Sequence, residues 1–269
     1  MTTSYIRSAT KKFAVVIGIN YIGTSSELNG CINDAHNIND FLMGKCGFDR
    51  SNIMLMIDDG TEGTTRPTRA NIISAFKTLV SKATREGFTE LWLSYSGHGS
   101  TIRDVDGDED DGKDEVLCPV DYATSGMITD DYIYDNLVAK LPRSATLISV
   151  MDCCHSGTIL DLPYIYKTSL AQNNKKNAHV ASIVSISGCR DDQTSADAFI
   201  DNAYEGAMTW SLLKALDATK YNVKTVDLIR NMRALLVKNS YTQVPLLAIS
   251  CTNDFGRKFM EGPLASVNK

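Results

Sequence analysis

The 269-residue sequence contains no long hydrophobic run and no surplus of positive charge. No apolar stretch approaches the roughly 18 residues that a membrane-spanning helix needs, and the N-terminal segment MTTSYIRSATKK lacks the apolar core of a secretory signal peptide. With 27 basic and 32 acidic side chains the net charge is -5, whereas nucleic-acid-binding proteins usually present a basic face. The sequence therefore predicts a protein of the cytosol or nucleus that acts neither at a membrane nor on nucleic acid.

Paired cysteines are also missing. The 7 cysteines are an odd number, and no repeated CxxC motif contains them, so neither a disulfide framework nor a tetrahedral zinc site is indicated. Most of them are expected to be buried, because an unpaired cysteine behaves as a small hydrophobic residue. Any thiol chemistry must therefore come from a free cysteine with a special local environment.

Short apolar segments alternate along the chain with segments of helical periodicity. The strand-like runs cover 12–19, 53–57, 90–95, 146–151, 181–187 and 245–250, and the helical patterns cover 33–43, 68–84, 130–140, 205–217 and 225–238. Thr68 is the expected N-cap of the second helix. Alternation of this kind predicts an α/β sandwich, with a mainly parallel central sheet and helices on both faces.

A polar segment at 167–180 interrupts this alternation. Its sequence, KTSLAQNNKKNAHV, is rich in asparagine and lysine and shows no periodicity. We interpret it as an exposed loop, and an ordinary connector is the alternative. No internal repeat divides the chain, so 1–269 is expected to form a single domain.

Two strand-like runs end in reactive side chains. SYSGHGS places His98 between two glycines after the third run, and DCCHSG places Cys153 and Cys154 after the fourth. Because neighbouring parallel strands end at the same edge of a sheet, these side chains are expected to lie close together. A nearby imidazole raises the thiolate fraction of a thiol whose ordinary pKa is about 8.5, and it then protonates the leaving amine. The pattern predicts a Cys–His dyad, with the Gly99 N–H available to an oxyanion.

The order of the motifs resembles that of the type I metacaspases, the caspase-related cysteine peptidases of fungi, protists and plants. GINYIG and GCINDAHN precede YSGHG and DCCHSG, and SGCRDDQTSADA follows them, so the resemblance covers nearly the whole chain. It implies a caspase-haemoglobinase-like fold. The large-subunit-like region is then 13–166 and the small-subunit-like region 181–269, with 167–180 as the exposed linker.

The resemblance also distinguishes between the two thiols. Cys154, which directly precedes His-Ser-Gly, occupies the position of the nucleophile, and His98 is its partner. The backbone N–H groups of Gly99 and Cys154 then bind the oxyanion. Cys153 is a neighbour without a role in the reaction.

A preference for basic residues before the scissile bond follows from the same resemblance. Metacaspases resemble caspases in fold but cleave after arginine or lysine instead of aspartate, and a pocket for a cation needs carboxylates. On the matching motifs, the S1 pocket is formed by Cys31, Asp34, Ser96 and Asp152. A desolvated guanidinium paired with such a carboxylate gains on the order of a few kcal/mol of discrimination, whereas an aspartate side chain is repelled. Asp34 also suits the first turn of a helix, where the helix dipole favours an acid.

Acidic residues are concentrated in the segment RDVDGDEDDGKDE at 103–115. This run fails as an EF-hand, because the sixth position, which must be glycine, is Glu109 counted from Asp104 and Asp111 counted from Asp106. We therefore interpret Asp104 to Asp111 as a solvated charge run.

A dispersed calcium site is implied by the resemblance instead. Its carboxylates come from three loops near the catalytic edge, and a bound ion would hold these loops in a substrate-ready arrangement. The residues are Asp114, Asp130, Asp131 and Asp161.

Processing and oligomeric state are the last properties that the resemblance implies. Metacaspases are often cut in the linker, where an enzyme directed to basic residues would find Lys167, Lys175 and Lys176. They tend to be monomers, and a monomer is expected here. Many also carry a Pro- or Gln-rich N-terminal extension, whereas this sequence begins almost directly at its first strand.

Functions of other classes compete with a calcium-activated peptidase. A catalytically silent caspase-like adaptor would be expected to lose the dyad, yet both members are present. A calcium-binding regulatory domain would need the acids but not GHG and CCHSG. A thiol redox protein that uses Cys153 and Cys154 is the weakest alternative, since adjacent cysteines are awkward for a disulfide and CxxC is absent.

Overall fold

The computed structural model describes residues 10–103, 112–154, 156–172, 181–188, 197–200 and 203–260. Its strands are β1 (Lys12–Gly18), β2 (Ile53–Ile57), β3 (Glu90–Ser96), β4 (Gly99–Arg103), β5 (Lys113–Leu117), β6 (Ile128–Thr129), β7 (Thr146–Asp152), β8 (Tyr164–Tyr166), β9 (Leu170–Gln172), β10 (Ser182–Ser187), β11 (Asp197–Ile200), β12 (Ala203–Gly206) and β13 (Leu246–Ile249). Its α-helices are α1 (Cys31–Cys46), α2 (Arg69–Arg85), α3 (Tyr122–Ser125), α4 (Asp130–Asn136), α5 (Ala207–Ala218), α6 (Thr225–Lys238) and α7 (Asn253–Gly256). Single 3-10 turns occupy Arg50–Asn52 and Val138–Lys140.

The central sheet has eight strands in the order β2-β1-β3-β7-β10-β13-β8-β9. The first five are parallel to one another, whereas β13, β8 and β9 each run antiparallel to the strand before them. The predicted mainly parallel sheet is therefore confirmed, with an antiparallel extension on one side. A separate sheet joins β4, β5 and β6, and β11 and β12 form a hairpin.

Helices cover both faces of the central sheet, as predicted. Successive side chains of a strand point to opposite faces, so Val15 and Ile17 of β1 pack with α2 and α4, while Ala14 and Val16 pack with α1, α5 and α6. Apolar residues at helical spacing bury one face of each of the long helices α1, α2, α5 and α6. None of the helices in the described ranges combines the length and apolar character needed to cross a bilayer.

Local sequence signals set the helix ends. Thr68 caps α2 as predicted, since its side chain accepts the N–H of Asn71. At α1 the cap comes from outside the helix, where Asn20 Oδ1 accepts the N–H of Ile32 at 3.1 Å. The helix predicted over 130–140 ends earlier, at Asn136, and continues as a 3-10 turn.

Several short strands escape prediction from the sequence. The segment 167–180, predicted as an exposed loop, contains the short strand β9, which pairs antiparallel with the preceding β8. Residues 167–169 form the exposed turn between them, and 173–180 lie outside the described residues. In β9 one half-buried residue precedes two exposed ones, so no alternating pattern marks it as a strand.

The carboxyl ends of three parallel strands lie side by side. Gly18, Ser96 and Asp152 are the last residues of β1, β3 and β7, and they are paired in register. The chain leaves these strands towards α1, towards His98 and towards Cys154 respectively. The fold thus delivers the predicted site residues to one edge of the sheet, where open parallel sheets keep their sites.

Candidate active site

The thiols near the end of β7 differ in how far they are exposed. Cys153 is only 1% exposed and belongs to the core, whereas Cys154 is half-buried. Cys118 is also buried, and its burial, together with the neighbouring Cys154, raises the pKa of its thiol to about 11. Of these three cysteines, Cys154 is the one that a substrate can reach.

The loop after β3 lies directly against the backbone of Cys154. The Gly97 N–H donates to the Asp152 carbonyl at 3.3 Å, which joins the loop after β3 to the end of β7. A Cβ atom at residue 99 would overlap the Cys154 carbonyl oxygen. Glycine at position 99 therefore permits the close approach of His98 and Cys154 that the motif predicts.

The orientation of His98 is fixed by a backbone carbonyl. His98 Nε2 lies 2.8 Å from the carbonyl oxygen of Ser26. Because a carbonyl oxygen only accepts, Nε2 carries the proton of the neutral imidazole and Nδ1 is left as the acceptor. Sequence reasoning missed Ser26, since a contact through a backbone carbonyl has no side-chain signature.

The Gly99 N–H is not used in the ladder between β4 and β5. The Cys118 N–H donates to the His98 carbonyl at 3.2 Å, so a ladder hydrogen bond joins residues 98 and 118, while the His98 N–H donates to the hydroxyl of Tyr21. Gly99 and Leu117 form the next pair, and such pairs alternate with non-bonded ones in antiparallel strands. The Gly99 N–H therefore points away from β5, as an oxyanion donor requires.

Three of the four residues predicted for the S1 pocket meet next to this dyad. Asp34 and Asp152 are 2% and 3% exposed. The hydroxyl of Ser96 donates to Asp34 Oδ2 at 2.6 Å. Cys31 is the buried first residue of α1, one turn before Asp34.

The N-terminal end of α5 holds both carboxylates. The Gly206 N–H donates to Asp34 Oδ1 at 2.9 Å, and Thr209 donates its N–H and its hydroxyl to Asp152 Oδ2, each at 2.9 Å. A Cβ at residue 206 would overlap Asp152 Oδ2 and would lie 2.6 Å from Asp34 Oδ2. The two acids therefore flank Gly206, at a helix end whose dipole favours anions. No sequence pattern indicates Gly206 or Thr209 as partners of these acids, because the contacts join residues 172 and 57 positions apart.

Three of the four predicted calcium ligands converge at a second place. One carboxylate oxygen from each of Asp114, Asp130 and Asp131 lies within 4.8 Å of the other two. Asp114 is on β5, and the other two form the first turn of α4. Asp161, which is buried and has a left-handed backbone (φ 49), is not part of this group.

The acidic cluster has the chemistry of a calcium site. Burial raises the pKa of Asp130, and the charge of Asp131 adds to this effect, while hydrogen bonds from the backbone of Glu115 and Asp131 oppose it. Carboxylates that are buried together are relieved by a hard divalent cation, which takes oxygen ligands. The residues present therefore fit calcium.

Glu115 connects the acidic cluster to the segment that follows Cys154. Its N–H donates to Asp130 Oδ2 at 2.9 Å, and its carboxylate accepts the hydroxyl of Thr158 at 2.6 Å. The Thr158 carbonyl in turn accepts the N–H of Asp161 at 2.6 Å. A continuous set of contacts thus runs from the cluster to residues only four and seven positions after Cys154.

Other predicted residues are less closely tied to the site. Lys167 is exposed on the turn between β8 and β9. Lys175, Lys176 and the acidic run Asp104 to Asp111 lie outside the described residues.

The sequence profile of the metacaspase, peptidase C14 domain, matches residues 11–163, which is more than half of the chain and includes both His98 and Cys154. The chain belongs to the metacaspase family. It is 35% identical to Metacaspase-1 of Meyerozyma guilliermondii over 97% of this chain and 74% of that protein. Metacaspase-1 of Cryptococcus neoformans is 37% identical, over 91% of this chain and 64% of that protein. Metacaspase-1 of Saccharomyces cerevisiae is 35% identical, over 95% and 70%.

Solved structures support the fold of this metacaspase. A Geobacter sulfurreducens protein superposes with a TM-score of 0.66 at 24% identity, over 93% of this chain and 98% of that one. Caspase-1 of Spodoptera frugiperda superposes with a TM-score of 0.56 at 10% identity, over 89% and 86%. These likenesses concern the fold alone, and they confirm the predicted caspase-like architecture. Membership of the metacaspase family places the chain among the cysteine peptidases.

Proposed function

We propose that this chain is a type I metacaspase: a monomeric, calcium-activated cysteine endopeptidase of the cytosol or nucleus that cleaves proteins after arginine or lysine. The observation that carries this proposal is the carboxyl edge of the sheet. There the half-buried Cys154 and His98 lie beside two buried carboxylates, Asp34 and Asp152.

The dyad performs peptide hydrolysis in two steps. Cys154 Sγ attacks the carbonyl carbon of the scissile peptide, and its proton passes to His98 Nδ1. The N–H groups of Gly99 and Cys154 bind the resulting oxyanion. The imidazolium then protonates the leaving amine, and a water molecule deprotonated by His98 hydrolyses the thioester. The Ser26 carbonyl keeps the imidazole oriented throughout, because it holds Nε2–H.

Basic residues are favoured before the scissile bond because the pocket offers two buried carboxylates. Each is already positioned by hydrogen bonds from α5, so little ordering is needed when a cation binds. A guanidinium or ammonium group supplies the charge that this arrangement lacks. The carboxylate of a substrate aspartate would be repelled by these two acids.

Calcium activation is supported by the acidic cluster and its connection to the nucleophile segment. When bound, calcium supplies positive charge that offsets the repulsion among Asp114, Asp130 and Asp131. Glu115 is held by Asp130 on one side and by Thr158 on the other. Ordering of the cluster would therefore be felt in the segment after Cys154, where Asp161 is the fourth ligand that we propose.

The proposal is tested with fluorogenic peptides that end in Arg, Lys or Asp, with and without calcium. Cleavage of the Arg and Lys peptides should require calcium at roughly millimolar levels, and magnesium should substitute poorly, because it demands a tight octahedron. The double variant Asp130→Asn/Asp131→Asn should lose calcium dependence together with most activity, at least about tenfold. Because burial raises the pKa of Asp130, protons compete with calcium, and the calcium concentration for half-activation should rise as the pH falls.

Thermal stability separates loss of the calcium site from unfolding. A carboxyl whose pKa is raised by folding contributes stability that is lost as the pH rises through that pKa, so the charge of Asp130 does not stabilise the fold at neutral pH. In calcium-free buffer the double variant should therefore lose only the one backbone hydrogen bond, from Glu115 or from Asp131, that asparagine at position 130 cannot accept, which is worth about 1 kcal/mol. Asp135→Asn, an exposed acid on the same helix, is the matched control and should behave as wild type. Normal calcium-stimulated cleavage by the double variant would move the site to Asp104–Asp111. Calcium binding by a wild-type chain that cleaves no peptide would favour a regulatory domain or adaptor.

Self-cleavage is also proposed, at Lys167, Lys175 or Lys176. Lys167 is exposed, as a site of proteolysis must be. Incubation of the active protein with calcium should yield fragments whose new termini follow these lysines, as mapped by mass spectrometry. The Cys154→Ala variant should stay intact under the same conditions, and identical fragments from it would mean that a contaminating protease made them.

A further inference from the structure

The connection between β1 and α1 carries a large aromatic side chain that is packed on the catalytic histidine. Tyr21 is 1% exposed, and its ring centroid lies 4.7 Å from that of His98 with the planes tilted by 40°. Connecting segments usually run over the surface. A fully buried tyrosine in such a segment therefore calls for a specific reason.

The hydroxyl of Tyr21 holds the backbone around His98. It accepts the His98 N–H at 2.9 Å and donates to the Cys118 carbonyl at 2.6 Å. Tyr95 completes the arrangement, because its hydroxyl donates to the His98 carbonyl at 2.8 Å. Both peptide groups that flank the His98 side chain are thus bound by buried phenols.

The residue type at position 97 and the backbone conformation at position 21 both accommodate this contact. A Cβ at Gly97 would lie 3.0 Å from the hydroxyls of both Tyr21 and Tyr95, so glycine there leaves room for the pair. Tyr21 itself has a left-handed backbone with φ 52, which is uncommon for a residue other than glycine. Strain of this kind persists only where the surroundings fix it, and it is frequent at functional sites.

The same segment also fixes the imidazole ring. A turn in which Thr24 donates its N–H and its hydroxyl to the Tyr21 carbonyl, at 3.1 and 2.8 Å, leads the chain back towards the histidine. Two residues later, the Ser26 carbonyl accepts Nε2–H of His98. Tyr21 thus contacts the imidazole ring and the backbone of His98, and the Ser26 carbonyl binds Nε2 of that ring.

We propose that Tyr21 is a positioning residue for His98. Its ring limits the tilt of the imidazole, and its hydroxyl fixes the backbone from which the imidazole projects, so that Nδ1 faces the thiol of Cys154. The electron-rich ring also favours the imidazolium that forms when the thiol is deprotonated. Proton transfer depends steeply on such geometry, and small misplacements cost rate rather than substrate affinity.

The test uses Tyr21→Phe, which keeps the ring and removes the hydroxyl, and Tyr21→Leu, which removes both. With the best peptide substrate we expect kcat to fall about tenfold for the first and about 100-fold for the second, with KM within about twofold of wild type. A second readout needs no peptide. The rate of Cys154 alkylation by iodoacetamide, quantified at that residue by mass spectrometry, should fall at neutral pH and recover at alkaline pH, where the thiolate forms unaided.

Tyr166→Phe is the matched control. Tyr166 is a buried tyrosine on β8 whose hydroxyl accepts a hydrogen bond from Arg230 at 3.2 Å, so the variant loses a comparable contact away from the dyad. It should leave kcat and the alkylation profile unchanged.

Melting temperatures distinguish positioning from a purely structural role. If the Tyr21 variants melt at lower temperature but keep the wild-type kcat and alkylation profile, the proposal is overturned. A rise in KM at constant kcat would overturn it as well, because that would make Tyr21 a substrate contact. Should Tyr21→Leu fail to fold, Tyr21→Phe decides alone. The alkylation readout does not depend on basic-residue specificity or on calcium, so failure of those proposals would leave it interpretable.

Discussion

Replacing Cys154 by alanine is expected to abolish peptide hydrolysis, lowering kcat by a factor on the order of a thousand or more, whereas Cys153→Ala should keep most of the activity. The reason lies in the different positions of the two adjacent thiols. Cys154 is half-buried beside the His98 loop, while Cys153 is 1% exposed and packed in the core. Cys153→Ala should therefore mainly lower the free energy of unfolding, on the order of 1–2 kcal/mol for a small buried side chain.

Rates with an Arg-ending fluorogenic peptide and melting temperatures measure the two effects separately. Cys118→Ala is the control, because Cys118 is also buried, and its thiol has a pKa raised to about 11. A peptide chloromethyl ketone ending in Arg should label wild type and Cys153→Ala at residue 154 and should not label Cys154→Ala. Equal loss of activity in the Cys153 and Cys154 variants would contradict the assignment.

Much of the fold could be predicted because its core elements follow simple periodicities. The run KFAVVIG is buried along almost its whole length, as a strand between two helical layers must be. Thr68 is a cap that is recognised by its residue type alone. By contrast, β9 has three residues, mostly exposed, and β11 and β12 are four-residue strands that, among the residues the structure describes, pair only with each other. Local hydrophobicity therefore does not reveal these strands.

The candidate site was predictable where its residues carry side-chain signatures in motifs. The position after strands indicates His98 and the pair Cys153 and Cys154. The resemblance of the motifs then selects Cys154 and the acids Asp34 and Asp152. Ser26 acts through its carbonyl, and Thr209 meets Asp152 across 57 positions of sequence. Contacts of these two kinds depend on the assembled fold, so no pattern in a single sequence predicts them.

The specificity prediction has the second large expected effect: Asp152→Asn should lower kcat/KM for an Arg-ending peptide by about 100-fold, which corresponds to the loss of one charge-assisted contact. Asparagine is chosen at position 152 because both hydrogen bonds from Thr209 end on the same oxygen, Oδ2. The amide oxygen can keep both of them while the charge is removed. At Asp34 the donors Gly206 and Ser96 bind different oxygens, so an amide there could accept only one of these two hydrogen bonds.

A neutral substrate separates the effect of charge from the effect of shape. Citrulline has the size of arginine without its charge, so a peptide ending in citrulline should be cleaved slowly by wild type and about equally slowly by Asp152→Asn. The wild-type preference for Arg over citrulline should therefore shrink in the variant, and it should also weaken at high salt if part of the pocket is open to ions. An Asp-ending peptide should stay uncleaved by both proteins. Efficient hydrolysis of that peptide by wild type would refute the acidic pocket. An equal fall in kcat/KM for the Arg and citrulline peptides in Asp152→Asn would show that Asp152 supports the fold or the dyad and does not recognise the substrate charge.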